Sequence, residues 1–257
     1  MIVFKIQGGL CNQLFQWAYA YKINKSHELY IDNSFYGNQF LEPLVTNREF
    51  QLNKILKTSL PLLDNQAYQK FIQKPAQRIV DNFHFSKHNF SADQNYYLDG
   101  YWQSEKYFAD IKHEIINSFF WPAIEDLNFE NSCSIHVRRG DYLNTQHIHP
   151  VQSIDYYNKA LDIIQPKGNI FVFSDDIEWC KYNIAFKKTI FMKNNSNIYD
   201  LRAMSLCTDN IISNSSFSWW GAWLNKNKNK KVIYPQNWFS DNTNDSDINP
   251  TNWTAIK

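Results

Sequence analysis

Residues 134–142 read Ser-Ile-His-Val-Arg-Arg-Gly-Asp-Tyr, and the fold is organised around this stretch. Its first half alternates like a buried strand, whereas its second half is charged and turns at a glycine. Open α/β sheets bind ligands at the carboxyl ends of their strands, where this strand would deliver two arginines and an acid. Because arginine presents a planar, permanently charged fork of donors, the stretch predicts a strand end that binds phosphate. The alternative is a surface cluster of ion pairs.

The carboxy-terminal half alternates between strand and helix patterns. Strands are predicted at 133–137, 170–173, 189–192, 210–213 and 231–234, and helices at 153–164, 177–184, 198–207 and 216–225. Five strands alternating with four helices predict an α/β domain with a parallel, doubly wound, Rossmann-like sheet. Since crossovers between parallel strands are right-handed, the carboxyl ends of these strands are expected to open on one edge.

Polar residues follow three of these strands. They are Arg138, Arg139 and Asp141 after the first, Ser174, Asp175 and Asp176 after the second, and Asn214, Ser215 and Ser216 after the fourth, where a helix begins. A helix amino terminus carries free N–H groups and favours an anion. Each group alone could be no more than a helix cap or an ion pair. Together at one sheet edge they predict a nucleotide diphosphate site.

The amino-terminal half begins with a strand at 2–6, the turn Gly8-Gly9 and a helix from Leu10. Such a turn brings backbone N–H groups close to a ligand. The GxGxxG spacing and a Walker lysine are absent from it, which disfavours a dinucleotide or ATP loop. Asn12 and Gln13 lie in the first helical turn, where they either cap the helix or bind sugar hydroxyls.

The rest of this half is less regular. We predict strands at 27–32 and 96–102, a short helix near 65–72, and a helix from the N-cap Ser104 to about residue 120. The topology of 35–95 is not assigned. Polar residues 123–132 form a linker. The domains are therefore 1–125 and 126–257, and the tail 236–257 could pack back on the first domain.

Composition narrows the functional classes. With 26 basic and 25 acidic residues the net charge is +1, so neither nucleic acid nor a charged membrane surface is expected as the main partner. The four cysteines form no CxxC pair and are expected to be free, buried thiols. The start lacks a basic region and no apolar run is long enough to span a bilayer, which favours a cytoplasmic location.

His147 and His149 suggest zinc ligands only weakly, because no third ligand is in view. Such a pair is usually a plain surface feature.

Five motifs carry a resemblance to a known family. In chain order they are GGLCNQLFQ at 8–16, GYWQSEKYF at 100–108, HVRRGDY at 136–142, FSDD at 173–176 and NSSFSWWGAWL at 214–224. Together they resemble bacterial α-1,2-fucosyltransferases of glycosyltransferase family 11, over nearly the whole chain. Cys11 stands where the family usually has glycine, and a cysteine there would be strained if the backbone needed a positive φ.

The resemblance implies two facing Rossmann-like domains of the GT-B kind, with the acceptor side in 1–125 and the nucleotide-sugar site in 126–257. Loops within 35–95 are then expected to help choose the acceptor. The resemblance further implies inverting transfer of L-fucose from GDP-β-L-fucose to the 2-hydroxyl of a galactoside, without a metal or other cofactor, in surface polysaccharide or O-antigen synthesis. A lipid-linked acceptor would bring the protein peripherally to the inner membrane. The rival reading is a non-catalytic protein that binds nucleotide sugars or glycans on the same fold.

The resemblance also assigns residues. Arg138 and Asp141 are the candidate catalytic residues, with Arg138 holding the diphosphate. Asp141 is the acid nearest in sequence that could serve as general base, but beside two arginines it is equally well placed to orient them. The identity of the general base therefore stays open. The donor-binding set is His136, Arg138, Arg139, Asp175, Asp176, Asn214, Ser215, Ser216 and Phe217. The acceptor-side cleft is assigned to Gly9, Asn12, Gln13, Trp102 and Gln103.

Overall fold

The computed structural model describes residues 1–37, 48–184 and 186–257. The chain divides into two compact units: Met1–Phe120 with Ser246–Ile248, and Trp121–Asp245 with Asn249–Lys257. Each unit has its own parallel sheet with helices, which confirms the predicted α/β class. The assignment of an acceptor side and a nucleotide-sugar side to two domains stays a prediction. Residues 38–47, within the region 35–95 predicted to help choose the acceptor, lie outside the described residues.

The first unit is built on a four-stranded sheet in the order β2-β1-β4-β3, with all pairs parallel. Its elements are β1 Ile2–Lys5, α1 Leu10–Asn24, β2 Leu29–Asp32, α2 Leu52–Ile55, α3 Asn65–Ile72, β3 Ala76–Val80, β4 Asn95–Asp99 and α4 Lys112–Asn117. The glycine turn between β1 and α1 therefore lies at the carboxyl edge of this sheet. Strand β3 was not predicted, because its side chains are mostly exposed and show no apolar pattern.

Two predictions for the first unit are wrong at their ends. The strand predicted at 96–102 stops at Asp99, and Trp102 adopts a left-handed φ of 55°. The helix predicted at 104–120 is broken into 3-10 turns before α4 begins, although Ser104 does cap it by accepting a bond from Lys106 N. The break falls at Phe108, whose φ is −145° and whose ring is buried against Phe15. Core packing of this ring overrides the local helical preference.

The second unit carries a six-stranded parallel sheet in the order β10-β9-β8-β5-β6-β7. Its elements are β5 Cys133–Val137, α5 Ile154–Ile164, β6 Ile170–Ser174, α6 Ile177–Asn183, β7 Thr189–Phe191, α7 Asn197–Leu206, β8 Asp209–Ile211, α8 Ser216–Leu224, β9 Val232–Pro235 and β10 Thr254–Ile256. All five predicted strands and all four predicted helices are confirmed to within about two residues; β10 is additional.

Local chemistry explains why these helices begin where they do. Ser153, Asp176, Ser196 and Ser215 each accept a backbone N–H of the first turn with the side chain, which satisfies a donor that the helix itself cannot. The run 170–173 is almost completely buried, as expected of a central parallel strand. Two fully buried tyrosines behind the sheet, Tyr156 and Tyr157, donate to the backbone carbonyls of Ile212 and His136 and so fix two strand ends.

The remaining sequence expectations concern thiols and membranes. All four cysteines are buried and free, as predicted. Within the described ranges, none of the helices has both the length and the apolar character needed to cross a bilayer.

Candidate functional site

Strand pairing brings the predicted polar residues of the second unit together. Strand β5 lies between β6 and β8, with Val137 opposite Ser174 and Ile135 opposite Ile211. The residues that follow these three strands therefore emerge side by side on one edge of the sheet. This confirms the convergence expected from the sequence, and it defines the candidate donor site.

Arg138 occupies the centre of this edge and contacts two carboxylates. Its Nη2 lies 2.7 Å from Asp141 Oδ1, and its Nη1 lies 3.0 Å from Asp175 Oδ2. Its guanidinium carbon lies 5.4 Å from the centre of the Tyr142 ring, within cation–π range. The side chain stays about one quarter exposed, so it is held in place while remaining open to solvent on one side.

The Arg139 side chain is less exposed than that of Arg138. Its Nε donates to Asp176 Oδ2 at 3.0 Å, and its guanidinium carbon lies 4.2 Å from the centre of the Trp179 ring. Its backbone N–H donates to Asp175 Oδ1 at 2.9 Å. These contacts tie the end of β5 to the first turn of α6. Arg139 therefore shapes the strand end, and Arg138 is the more exposed of the two arginines. The role of Arg138 towards a diphosphate stays a prediction.

His136 lies just inside this edge and is buried. Its Nδ1 is 2.9 Å from Ser213 Oγ, and its ring is 5.5 Å from that of Phe217. Burial, and secondarily the positive charge of Arg138, lowers the pKa of His136 to about 3. The imidazole is therefore neutral at physiological pH and links β5 to the turn after β8.

The third component of the edge is the amino terminus of α8. Asn214 is buried and holds the preceding turn: its Nδ2 donates to the Trp238 carbonyl at 3.1 Å, and its Oδ1 accepts from Gln152 Nε2 at 3.0 Å. Ser215 is the N-cap, and its Oγ accepts the Phe217 N–H at 3.3 Å. The Ser215 N–H donates to the Ser213 carbonyl. The N–H groups of Ser215 and Phe217, two residues of the predicted donor-binding set, thus have partners within the chain.

The first unit contains the residues assigned to the acceptor. The turn before α1 contains Gly8 with φ +80° and Gly9 as the N-cap of α1. Asn12 is half-buried, and its Oδ1 accepts from Gln103 Nε2 at 2.9 Å. Tyr36 adds a ring here, because its hydroxyl donates to the Gly8 carbonyl at 3.1 Å. Gly9, Asn12 and Gln103 therefore share one polar turn at the carboxyl edge of the first sheet.

Two other residues assigned to the acceptor lie deeper. Gln13 is fully buried; its amide donates to the carbonyls of Gly8 and Glu49, and its oxygen accepts from Gln51 N. Trp102 is also buried, and its ring packs near those of Phe4 and Tyr19. The first side chain ties residues 49–51 to the turn and the second belongs to the core. Their roles towards an acceptor stay predictions.

Cys11 causes none of the strain that its place in the motif suggested. It lies in the second position of α1 and is absent from the described non-glycine residues with positive φ. The left-handed conformation falls on Gly8 instead. Burial raises the pKa of the Cys11 thiol well above its usual value, so the thiol stays protonated.

Two residues of the second unit were missed or misjudged by the sequence analysis. Asp200 lies in the first turn of α7, after β7, and burial raises its pKa to about 6. His147 is exposed, as expected, but the expectation was wrong for His149, which is half-buried and stacked on Tyr142 at 4.7 Å. Neither the helical spacing around Asp200 nor the loop position of His149 indicated that these side chains are partly buried. Across the described residues no three His, Cys, Asp or Glu side chains are arranged as metal ligands.

Known proteins share both the sequence and the fold. Residues 4–257 match the family described as Glycosyl transferase family 11. An alpha-1,2-colitosyltransferase of Escherichia coli is 33% identical over 254 residues, covering 87% of each chain. The O-antigen biosynthesis glycosyltransferase WbnK of Escherichia coli is 30% identical over 281 residues, covering 90% of this chain and 92% of WbnK.

One solved structure extends the comparison to the fold. NodZ alpha-1,6-fucosyltransferase, in a crystal soaked with GDP-fucose, superposes with a TM-score of 0.52 over 87% of this chain and 91% of its own, at 15% identity. At that identity the likeness concerns the fold alone, a GT-B-like α/β arrangement. With the family match over nearly its whole length and two relatives of 30% identity or more, this chain belongs to glycosyltransferase family 11.

Proposed function

We propose that this family 11 enzyme transfers L-fucose from GDP-β-L-fucose to the 2-hydroxyl of a galactoside, with inversion, in the synthesis of a surface polysaccharide or O-antigen. The observation that carries the proposal is that Arg138 and the amino terminus of α8 follow neighbouring strands and so lie at the same edge of one sheet. A guanidinium and a helix amino terminus both favour a diphosphate. The α-1,2 linkage in the name of the 33% identical relative supports the linkage proposed.

In the proposed reaction, the bond between fucose C1 and the β-phosphate oxygen breaks as the acceptor O2 attacks C1 from the opposite face. The hydroxyl proton leaves to a base, and the β-linked donor becomes an α-linked product. The carbon gains oxocarbenium character, as in glycosyl transfer generally. The departing GDP gains negative charge, which Arg138 and the α8 terminus would stabilise.

The charges at this edge impose a condition on donor binding. Two arginines, Arg138 and Arg139, face the three carboxylates of Asp141, Asp175 and Asp176. The cluster thus has one more carboxylate than guanidinium groups, and an incoming diphosphate would be repelled unless it displaces a carboxylate from Arg138. Asp141 is the more exposed of the two carboxylates on Arg138 and is the one expected to yield. Once released, it is free to orient the acceptor or accept its proton.

The donor sugar has a second candidate, colitose. The relative named alpha-1,2-colitosyltransferase favours it. Colitose is fucose without the 3-hydroxyl, so both sugars fit one nucleotide site and differ at a single polar contact. A pocket that bonds the 3-hydroxyl would disfavour colitose, because the polar group left unpaired has an energetic cost.

A donor panel separates these readings. The full chain is incubated with GDP-fucose or GDP-colitose and a set of β-galactosides, with and without EDTA, and the linkage of each product is determined by NMR. We expect α-1,2 transfer of fucose, unaffected by EDTA since no metal is proposed. Transfer of colitose alone would replace the donor. GDP binding without any transfer would support the non-catalytic reading. Fractionation of cells would test the proposed cytoplasmic location and peripheral membrane association.

Arg138→Ala tests the residue at the centre of the site. Loss of one charge-stabilising donor is expected to lower turnover on the order of 100-fold or more. Arg78→Ala is the matched control, because Arg78 also pairs with an aspartate, Asp99, but lies on β3 of the other unit. Arg138→Ala with near-normal turnover would refute the assignment.

A further inference from the structure

Behind Arg138, four segments of the second unit form a closed circuit of contacts. The Tyr142 ring lies near the Arg138 guanidinium and also stacks on His149, with the two ring centres 4.7 Å apart and an angle of 15° between their planes. The His149 ring also lies 5.6 Å from Phe239. Asn214 closes the circuit, since it accepts from the Tyr142 hydroxyl and donates to the Trp238 carbonyl.

His149 links two of these segments through its ring. It contacts Tyr142 and Phe239, and its backbone neighbour Ile148 accepts a hydrogen bond from Ser240 N at 2.9 Å. Its Nδ1 is buried, and no polar group of the described chain bonds to it. An unpaired buried nitrogen disfavours folding, so packing of the ring, and not hydrogen bonding, accounts for its position.

We infer that His149 is a positioning residue for the donor site, which acts by holding the Tyr142 ring against Arg138. This rests on the proposed function, in which Arg138 binds the diphosphate. If the Tyr142 ring moved, Arg138 would lose its aromatic face, and the turn at Asn214 that precedes α8 would lose the Tyr142 hydroxyl. Both groups proposed to bind the diphosphate are therefore set by one stack.

The geometry also predicts which replacement is tolerated. Phenylalanine keeps a flat ring of similar size and removes the unpaired nitrogen, so His149→Phe should preserve the position of Tyr142 at no loss of stability. His149→Ala removes the stack. Aromatic pairs contribute enough that its loss should weaken GDP binding by about 3- to 10-fold.

The experiment measures GDP binding by titration calorimetry, with GDP itself as the probe, on the full chain and three variants. His149→Ala should weaken GDP binding and raise the donor KM, with the acceptor KM unchanged, and His149→Phe should restore both. The control is Phe129→Ala, which removes a half-buried ring that packs at a tilt against Phe171, with ring centres 4.9 Å apart, shortly before β5. It should lower stability without changing GDP affinity.

Each outcome bears on the inference. If His149→Phe is as defective as His149→Ala, the ring nitrogen matters and stacking is not the cause. Unchanged GDP affinity in His149→Ala, or an equal loss in Phe129→Ala, would also overturn the inference while leaving the proposed function intact. A wild-type chain that does not bind GDP would refute the proposed function and this inference with it.

Discussion

Replacing His136 by glutamine should reduce the loss of stability of this protein in acid. His136 is buried, and its pKa of about 3 in the folded chain lies far below the ordinary histidine value of about 6.5. Between these two values the unfolded chain binds a proton at this position and the folded chain does not. Stability therefore falls as pH decreases through this window. Glutamine does not titrate and can still bond to Ser213 Oγ, the partner of the imidazole.

The magnitude follows from proton linkage. At about pH 5 the unfolded histidine is almost fully protonated while the folded one is neutral, which costs about 2 kcal/mol relative to about pH 7.5. This figure depends on the unfolded pKa and the chosen pH, and it changes little if the folded pKa is anywhere below about 4. Against a total stability of roughly 5–15 kcal/mol, it is easily measured.

The assay is urea unfolding of wild type and His136→Gln at the two pH values. The difference in unfolding free energy between the two proteins should shift by about 2 kcal/mol in favour of the variant at the lower pH. His113→Gln, which removes an exposed histidine, is the matched control and should change stability by less than about 0.5 kcal/mol at either pH. A difference between wild type and His136→Gln that is the same at both pH values would show that the buried imidazole is not the cause.

Three further predictions concern packing, charge and hydrogen bonding. Gly221→Ala should lower the free energy of unfolding by about 1–3 kcal/mol, since the new Cβ would lie 2.8 Å from Met204 Cβ between α8 and α7. An unfolding free energy unchanged in calorimetry would contradict this close packing. Asp200→Asn should stabilise the chain by about 2 kcal/mol more at pH 7.5 than at pH 4, because a carboxyl with a raised pKa destabilises the fold as it ionises. Urea titrations in which the variant and the wild type differ by the same unfolding free energy at both pH values would count against this. Gln13→Ala should cost about 3 kcal/mol, because it removes three hydrogen bonds to the backbone worth about 1 kcal/mol each. Amide exchange at Gln51 should rise; unchanged protection there would argue otherwise.

Much of the second unit could be predicted from local sequence. Strand and helix bounds came from apolar periodicity, and side chains at the helix starts, such as Ser153 and Asp176, cap those helices. The convergence of Arg138 with Asp175 followed from one rule, that crossovers between parallel strands share a hand. These features succeed because each depends on neighbours in sequence or on a general property of parallel sheets.

The first unit shows where such reasoning fails. Strand β3 is exposed and pairs with β4 through backbone bonds, which leave no pattern in the side chains. Phe108 breaks a predicted helix because the core accommodates its ring, and Gln13 bonds to residues 36 and 38 positions further along the chain. Contacts between distant residues decide each of these, and periodicity does not report them.

The sequence alone determined that this chain forms parallel sheets whose strand ends bear arginines, acids and a helix amino terminus. It did so because apolar spacing, glycine turns and caps act over a few residues. Only the tertiary structure decided that Arg139 packs on Trp179, that His136 is neutral, and that His149 stacks on Tyr142. Burial and side-chain partners set those properties, and both arise only when segments far apart in the chain pack together.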